Sequence, residues 1–104
     1  MDIRFSDAFA NSVKKHASLR SAIRKKVDMI VDNPIRMGEP LKGNFRGYYS
    51  CPVKRNFIVV YLYCFVCRKK RDQEFVLCHD CSECDDETIK FIALGPHDKT
   101  YREK

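Results

Sequence analysis

The chain has 104 residues, of which 44% are hydrophobic and 33% are charged. This length is enough for one domain with a modest core, and the composition is that of a globular protein rather than a disordered one. No run approaches the roughly 18 apolar residues that a membrane span needs, and residues 1–6 lack the apolar core of a secretory signal. We therefore predict one cytoplasmic domain, residues 1–104, with no membrane association.

The positive charge is concentrated in the first three quarters of the chain, which has a formal net charge of +6. Residues 1–74 contain 16 Lys and Arg against 7 Asp and Glu, a balance of +9, whereas residues 75–104 contain 4 against 7, a balance of −3. A basic body suits a polyanionic partner such as RNA or DNA. The same balance also fits a domain that simply has a high isoelectric point.

The N-terminal part predicts a strand followed by two helices. Apolar and polar residues alternate over residues 2–5, which is typical of a short strand. Ser6 or Asp7 can cap a first helix, and Ser18 can cap a second. The second helix has an apolar stripe at amphipathic spacing, formed by Leu19, Ile23, Val27, Ile30 and Val31. It ends before Pro34, because a proline ring disfavours helical geometry in the preceding residue.

The C-terminal part predicts strands. After a loop over residues 35–43, residues 45–53 and 57–66 are rich in aromatic and β-branched residues, which is typical of an antiparallel hairpin. Pro52 has no N–H to donate, so it must lie at an edge or a bulge. Residues 88–94 form a last strand. The predicted order, β-α-α-β-β-β, indicates an α+β fold in which a helical hairpin packs on one face of a curved antiparallel sheet.

Five of the six cysteines lie within 21 residues, between the last two predicted strands. Four of them form two Cys-x2-Cys pairs separated by ten residues, namely Cys64, Cys67, Cys78 and Cys81. Zn²⁺ favours four tetrahedral thiolates at roughly 2.3 Å, and this spacing supplies them. We predict a structural zinc knuckle in an insert, residues 64–86, with Cys84 and His79 as rivals for the fourth position. The alternative is that these cysteines are reduced thiols without a metal, or disulfides formed during handling.

Three segments of the chain resemble the RelE/ParE superfamily of type II toxins, and the YoeB and YafQ branches in particular. They are residues 39–50 (EPLKGNFRGYYS), residues 57–61 (FIVVY) and residues 93–101 (ALGPHDKTY). The helical hairpin fits as well, so the resemblance covers nearly the whole chain outside residues 64–86. A four-cysteine insert at this place is similar to one carried by archaeal members.

The resemblance implies an endoribonuclease that cuts mRNA in the ribosomal A site and is neutralised by a cognate acidic antitoxin. The family's reaction transfers the phosphate to the neighbouring 2′-OH, which requires a general base, a stabilising charge and a general acid. Glu39 matches the position of the base, His97 that of a tail histidine that serves as acid or base, and Tyr101 that of a tail aromatic that stacks on or orients a nucleotide base.

One position departs from the family pattern. Where RelE and YoeB place a catalytic arginine on a strand, this chain has Ile58. The phosphate-stabilising charge must then come from Arg55, which we assign to the catalytic set, or from the predicted RNA-binding residues Lys42, Arg46 and Lys54, or it is absent. Two other functions stay open: a ParE-like poison of DNA gyrase, and a catalytically inactive relative that binds nucleic acid or an antitoxin.

Overall fold

The computed structural model describes residues 3–41, 47–54, 57–69 and 87–96. Its elements in chain order are β1 (Ile3–Phe5), α1 (Asp7–Lys15), a 3-10 helix (Ala17–Leu19), α2 (Arg20–Asp32), α3 (Pro34–Met37), β2 (Glu39–Pro40), β3 (Tyr49–Lys54), β4 (Phe57–Tyr63), α4 (Cys64–Lys69) and β5 (Ile89–Pro96). This architecture confirms the predicted α+β class. None of the described helices is long and apolar enough to cross a membrane.

The five strands form one mixed sheet in the order β1-β5-β4-β3-β2. Strands β3, β4 and β5 pair antiparallel, as predicted, and β2, which was not predicted, also pairs antiparallel with β3. Strand β1, however, runs parallel to β5, so the expectation of a wholly antiparallel sheet was wrong at this edge. Tight turns force neighbouring strands to run antiparallel, but β1 and β5 are separated by most of the chain, and a long connection permits either direction.

Ser6 joins the first strand, the first helix and the last strand. Its hydroxyl accepts a hydrogen bond from the Phe9 N–H (3.0 Å), which confirms it as the N-cap of α1, and donates one to the Ile92 carbonyl (2.6 Å). Its own N–H donates to the Phe91 carbonyl (2.9 Å). The start of α1 is therefore fixed directly onto β5.

The predicted Ser18 cap was wrong. Residues Ala17–Leu19 form a 3-10 turn, and α2 begins after Leu19 without a side-chain cap bond. The Leu19 N–H donates to the His16 carbonyl (2.9 Å), so the backbone turn itself satisfies this donor. The end of α2 before Pro34 is confirmed, but Pro34 occupies the first turn of a further short helix, a position that suits proline.

Four predicted boundaries in the C-terminal part also change. The expected loop over residues 35–43 contains most of α3 and all of β2. The strand expected to reach Val66 ends at Tyr63, where α4 begins, because a short apolar run lacks the periodicity that separates a strand from a buried helix. Strand β3 begins at Tyr49, later than expected, and β5 extends to Pro96.

Pro52 lies at an irregularity of the sheet, as its missing N–H requires. It pairs with Ile58, and the β3–β4 register shifts between Pro52 and Lys54. Strand β2 pairs only with Tyr49 and Ser50, so it ends before it reaches Pro52. The prediction of an edge or bulge position is confirmed.

The sheet separates two apolar clusters. The helix face carries the larger one, in which side chains of α1 and α2 pack on the sheet; its main members are Phe9, Ile23, Ile30, Tyr49, Cys51, Val59, Tyr61, Ile89, Phe91 and Leu94. The opposite face, called the distal face below, carries Tyr48, Ile58, Val60, Leu62 and Cys64, with Leu41, Ile92 and Ala93 packed against them. Both clusters are buried at their centres.

Candidate functional site

Strand register places Glu39 at the margin of the distal face. Glu39 pairs with Ser50, Ser50 with Val60, and Val60 with Ala93, so the four residues form one row across the sheet. Side chains in such a row point to the same side, and Val60 belongs to the distal cluster. Glu39 itself is exposed. Its carboxylate therefore lies on an accessible edge of the distal face.

The segment that leads to Glu39 is tied to the interior by Tyr61. The Tyr61 hydroxyl, which is fully buried, donates a hydrogen bond to the Pro34 carbonyl (2.5 Å) and forms a second one with the backbone of Gly38. Burial, the main cause, raises the pKa of Tyr61 well above its ordinary value, so the hydroxyl stays protonated. On the other side of Glu39, the Leu41 N–H donates to the Tyr48 carbonyl (2.9 Å).

Ile58 cannot offer a charge to a phosphate, and its environment is apolar. It is only 6% exposed and lies in the distal cluster. Its partners in the neighbouring strands are Pro52 and Gly95. Any positive charge that stabilises a phosphate must come from a residue at the margin of the sheet rather than from Ile58 at its centre.

Lys54 lies at the margin of the sheet, at the end of β3. It is exposed and pairs with Phe57, which in turn pairs with Pro96. The chain therefore leaves β5 towards His97 at the end of the sheet that carries Lys54. Glu39 lies three strands away from β5 and three residues along the strands from this end, so its backbone is roughly 17 Å from that of Pro96 at ordinary sheet spacings.

Most other predicted site residues lie outside the described residues. This applies to the predicted catalytic residues Arg55, His97 and Tyr101 and to the predicted RNA-binding residues Lys42 and Arg46. Of the predicted chemistry, the structure thus places Glu39, Lys54 and the departing position Ile58.

Of the four predicted metal ligands, the structure describes two, Cys64 and Cys67. Cys64 is the first residue of α4 and is 2% exposed, and Cys67 lies one turn later on the same helix, where a loop turn was expected. The Cys64 N–H donates to the Thr88 carbonyl (3.0 Å), so the two ends of the insert meet at its base. Cys78 and Cys81 lie outside the described residues, and within the described ranges no three metal-ligating side chains cluster.

Sequence reasoning missed three features. One is the hydrogen bond from the Tyr61 hydroxyl to the Pro34 carbonyl, because the sequence shows only a tyrosine within an apolar strand. Another is Cys51, a buried cysteine without a disulfide, whose pKa is raised by burial. The third is a groove of about 440 Å³ with an apolar lining and two basic residues, formed by Phe5, Phe9, Ala10, Val13, Lys14, Ala17 and Arg20.

Several solved structures with a similar fold are toxins. The chain in the E. coli DinJ-YafQ toxin-antitoxin complex superposes with a TM-score of 0.64 at 17% identity, over 96% of both chains. A metal-bound toxin from Helicobacter pylori gives a TM-score of 0.61 at 20% identity, over 95% of this chain and 97% of that one. A YoeB/ParE toxin from Agrobacterium tumefaciens gives 0.58 at 16% identity, over 93% of this chain and 99% of that one.

At these identities the likeness shows the fold, which is that of the YafQ, YoeB/ParE and RelE toxins. No protein-family model matches the sequence, and no curated protein does.

Proposed function

We propose that this chain, a single domain with the RelE-like fold, is a type II toxin that cleaves mRNA on the ribosome in the cytoplasm. The observation that carries the proposal is the match of fold along almost the full length of the chain to proteins that are toxins. The exposed Glu39 on the distal margin and the basic charge of residues 1–74 support it. Reactions on a ribosome-bound strand need an accessible acid–base group and positive charge.

In the proposed reaction the Glu39 carboxylate takes the proton of a ribose 2′-OH. The 2′-oxygen forms a bond to the phosphorus of the adjacent phosphate, the bond from phosphorus to the 5′-oxygen breaks, and His97 donates a proton to that oxygen. Lys54, together with Arg55, stabilises the charge that builds up on the phosphate. Lys42 and Arg46 hold the RNA backbone, and Tyr101 stacks on a base, which contributes about 1–3 kcal/mol in comparable cases.

A catalytically inactive relative is the second candidate, because Ile58 is buried where the resemblance calls for an arginine. Such a protein would bind nucleic acid or an antitoxin without cleaving mRNA. The two candidates differ in one measurable property, the cleavage of ribosome-bound mRNA.

The test compares wild type, His97→Ala and the control His16→Ala. His16 is half-buried against Phe57, and its ring nitrogen bonds to the Ser12 carbonyl (2.9 Å). These contacts give His16 a structural role, and it lies far from Glu39 in the sequence. We expect His97→Ala to lower single-turnover cleavage by at least ~10²-fold, the usual scale for loss of general acid–base catalysis, and His16→Ala to leave it unchanged.

Three outcomes contradict the proposal in different ways. Growth arrest by wild type and His97→Ala alike, with mRNA intact and gyrase inhibited, indicates a ParE-like poison. Wild type that neither arrests growth nor cleaves mRNA indicates the inactive relative. Cleavage that persists in His97→Ala removes this residue from the reaction.

We also propose that the insert binds one structural Zn²⁺ through Cys64, Cys67, Cys78 and Cys81. Two residues three apart on a helix lie on neighbouring positions of one face, and Cys64 and Cys67 have this spacing on α4. The hydrogen bond between Cys64 and Thr88 supports this, because it closes the base of a segment that a metal would hold together. Elemental analysis should give one zinc per chain, well under one in Cys64→Ser, and one in the control Cys51→Ser.

The groove defined above is our proposed contact for an acidic antitoxin. Phe5 is 52% exposed at its lip, and Lys14 and Arg20 line it, so it suits an amphipathic acidic segment. Phe5→Asp should weaken binding of the proposed acidic antitoxin. Ile35→Asp, a control that changes an equally exposed residue (51%) on α3, should not.

A further inference from the structure

Tyr61 and Gly38 form a contact, and neither residue takes part in the proposed reaction. Strand β2 is only two residues long, and it pairs with β3 at just two positions. A strand this short has too few ladder hydrogen bonds to hold its register alone. The position of Glu39, its first residue, must therefore depend on the contacts of the residue that precedes it.

That preceding residue, Gly38, lies directly against the Tyr61 side chain. A Cβ atom built on Gly38 would collide with the hydroxyl oxygen and would lie 2.9 Å from two ring carbons. Real Cβ atoms do not come this close, so glycine is required here by the close approach of the ring rather than by an unusual backbone angle. The Tyr61 hydroxyl bonds to the backbone of Gly38 and donates to the Pro34 carbonyl, so it clamps both ends of α3.

The clamp itself is rigid. Tyr61 is fully buried, its ring stacks on Tyr49 with centroids 5.5 Å apart, and a second aromatic, Phe91, lies 6.0 Å away. It sits on β4 between two paired strands. The hydroxyl therefore has a fixed location in the core, from which it defines where the chain enters β2.

We propose that Tyr61 is a positioning residue for Glu39: its buried hydroxyl fixes Pro34 and Gly38, and so sets the carboxylate on the distal margin. The inference rests on the proposed function, in which Glu39 is the base. Tyr61 itself lies on the helix face, on the opposite side of the sheet from Glu39, and it does not touch the substrate. Its effect on the reaction is exerted only through Glu39.

The first test removes the hydroxyl and keeps the ring. In Tyr61→Phe we expect single-turnover cleavage to fall about tenfold with ribosome binding unchanged, because a small displacement of a base costs rate rather than affinity. The double variant Glu39→Gln/Tyr61→Phe should be no slower than Glu39→Gln, because Tyr61 acts through the same carboxylate. Tyr63→Phe, the same change two residues along β4, is the matched control and should leave the rate unchanged.

The second test does not depend on activity. Hydrogen exchange of the amides of Gly38, Glu39 and Leu41 should be faster in Tyr61→Phe than in wild type or Tyr63→Phe. Gly38→Ala, which disturbs the same contact from the loop side, should reproduce this increase.

The outcomes separate the two proposals. Exchange unchanged in Tyr61→Phe, or a rate loss that adds fully to that of Glu39→Gln, overturns the positioning role. If wild type does not cleave mRNA, or Glu39→Gln cleaves normally, the proposed function fails instead. Faster exchange of the Gly38, Glu39 and Leu41 amides then still supports Tyr61 as the clamp of this segment, and unchanged exchange overturns it.

Discussion

The two faces of the sheet differ in what fills them. The helix face is packed with aromatic rings, in which Phe5, Phe9, Tyr61 and Phe91 lie at centroid distances of 5.3–6.0 Å from their neighbours. The distal face is aliphatic at its centre, around Val60, and polar at its margin, where Glu39 is exposed. The helix face thus accounts for most of the packing, whereas the proposed base, Glu39, lies at the edge of the distal face.

The difference between the two faces also explains why an apolar residue, Ile58, suits the centre of the distal face. A residue at the centre of the distal face is buried, so an arginine there would have to lose its water and find a partner within the cluster. Isoleucine avoids that cost, and in the proposed reaction Lys54 supplies the charge instead.

The largest expected effect is on the helix face. Phe91→Ala removes a fully buried ring that contacts Phe5, Phe9 and Tyr61, and should lower the free energy of unfolding by about 3–5 kcal/mol. Ile92→Ala, the next residue but only half-buried against the distal cluster, should cost clearly less. Chemical denaturation of both variants measures the difference. Equal losses of the free energy of unfolding would mean that the two faces contribute equally to stability.

A smaller loss is expected where the helix face meets β5. Ser6→Ala removes the N-cap of α1 and the hydrogen bond to the Ile92 carbonyl, and should lower the free energy of unfolding by about 1–2 kcal/mol. Ser21→Ala, an exposed serine on α2, serves as the control in the same denaturant series. A loss in Ser6→Ala no greater than in the control would show that the cap is not needed.

The smallest effect concerns alkaline pH. Burial raises the pKa of Cys51 above its ordinary value of 9.0, so above that pH the unfolded chain loses its proton while the folded one keeps it. Stability contributed by the neutral thiol is therefore complete below pH 9.0 and is lost as pH rises towards the folded pKa. Cys51→Ser should show a shallower decline over this range in thermal unfolding. An identical slope would mean that Cys51 does not titrate differently on folding.

Much of the helix face was predictable from the sequence. The stripe containing Ile23 and Ile30 has helical spacing, Ser6 is a good capping residue, and the run from Phe57 to Tyr63 is strongly β-forming. Each of these signals is local, and the folded chain keeps these particular ones. The same holds for Pro52, whose missing N–H left only an edge or a bulge.

The site was less predictable, because it depends on contacts between distant parts of the chain. The sequence carries no sign that β1 pairs parallel to β5 or that Cys64 begins a helix. Nor can it show that the Tyr61 hydroxyl reaches Pro34, 27 residues away. Glu39 was proposed through a family resemblance, and only the strand register explains why its carboxylate lies on an accessible margin.

The most direct test of the account is single-turnover cleavage of ribosome-bound mRNA by Glu39→Gln beside wild type. The substitution keeps the size of an exposed side chain and removes only its charge and basicity. We predict a rate at least ~10²-fold lower, equivalent to about 2.7 kcal/mol of transition-state stabilisation, with the free energy of unfolding unchanged. A wild type that cleaves mRNA while Glu39→Gln cleaves equally fast would contradict the assignment of the chemistry to the distal margin.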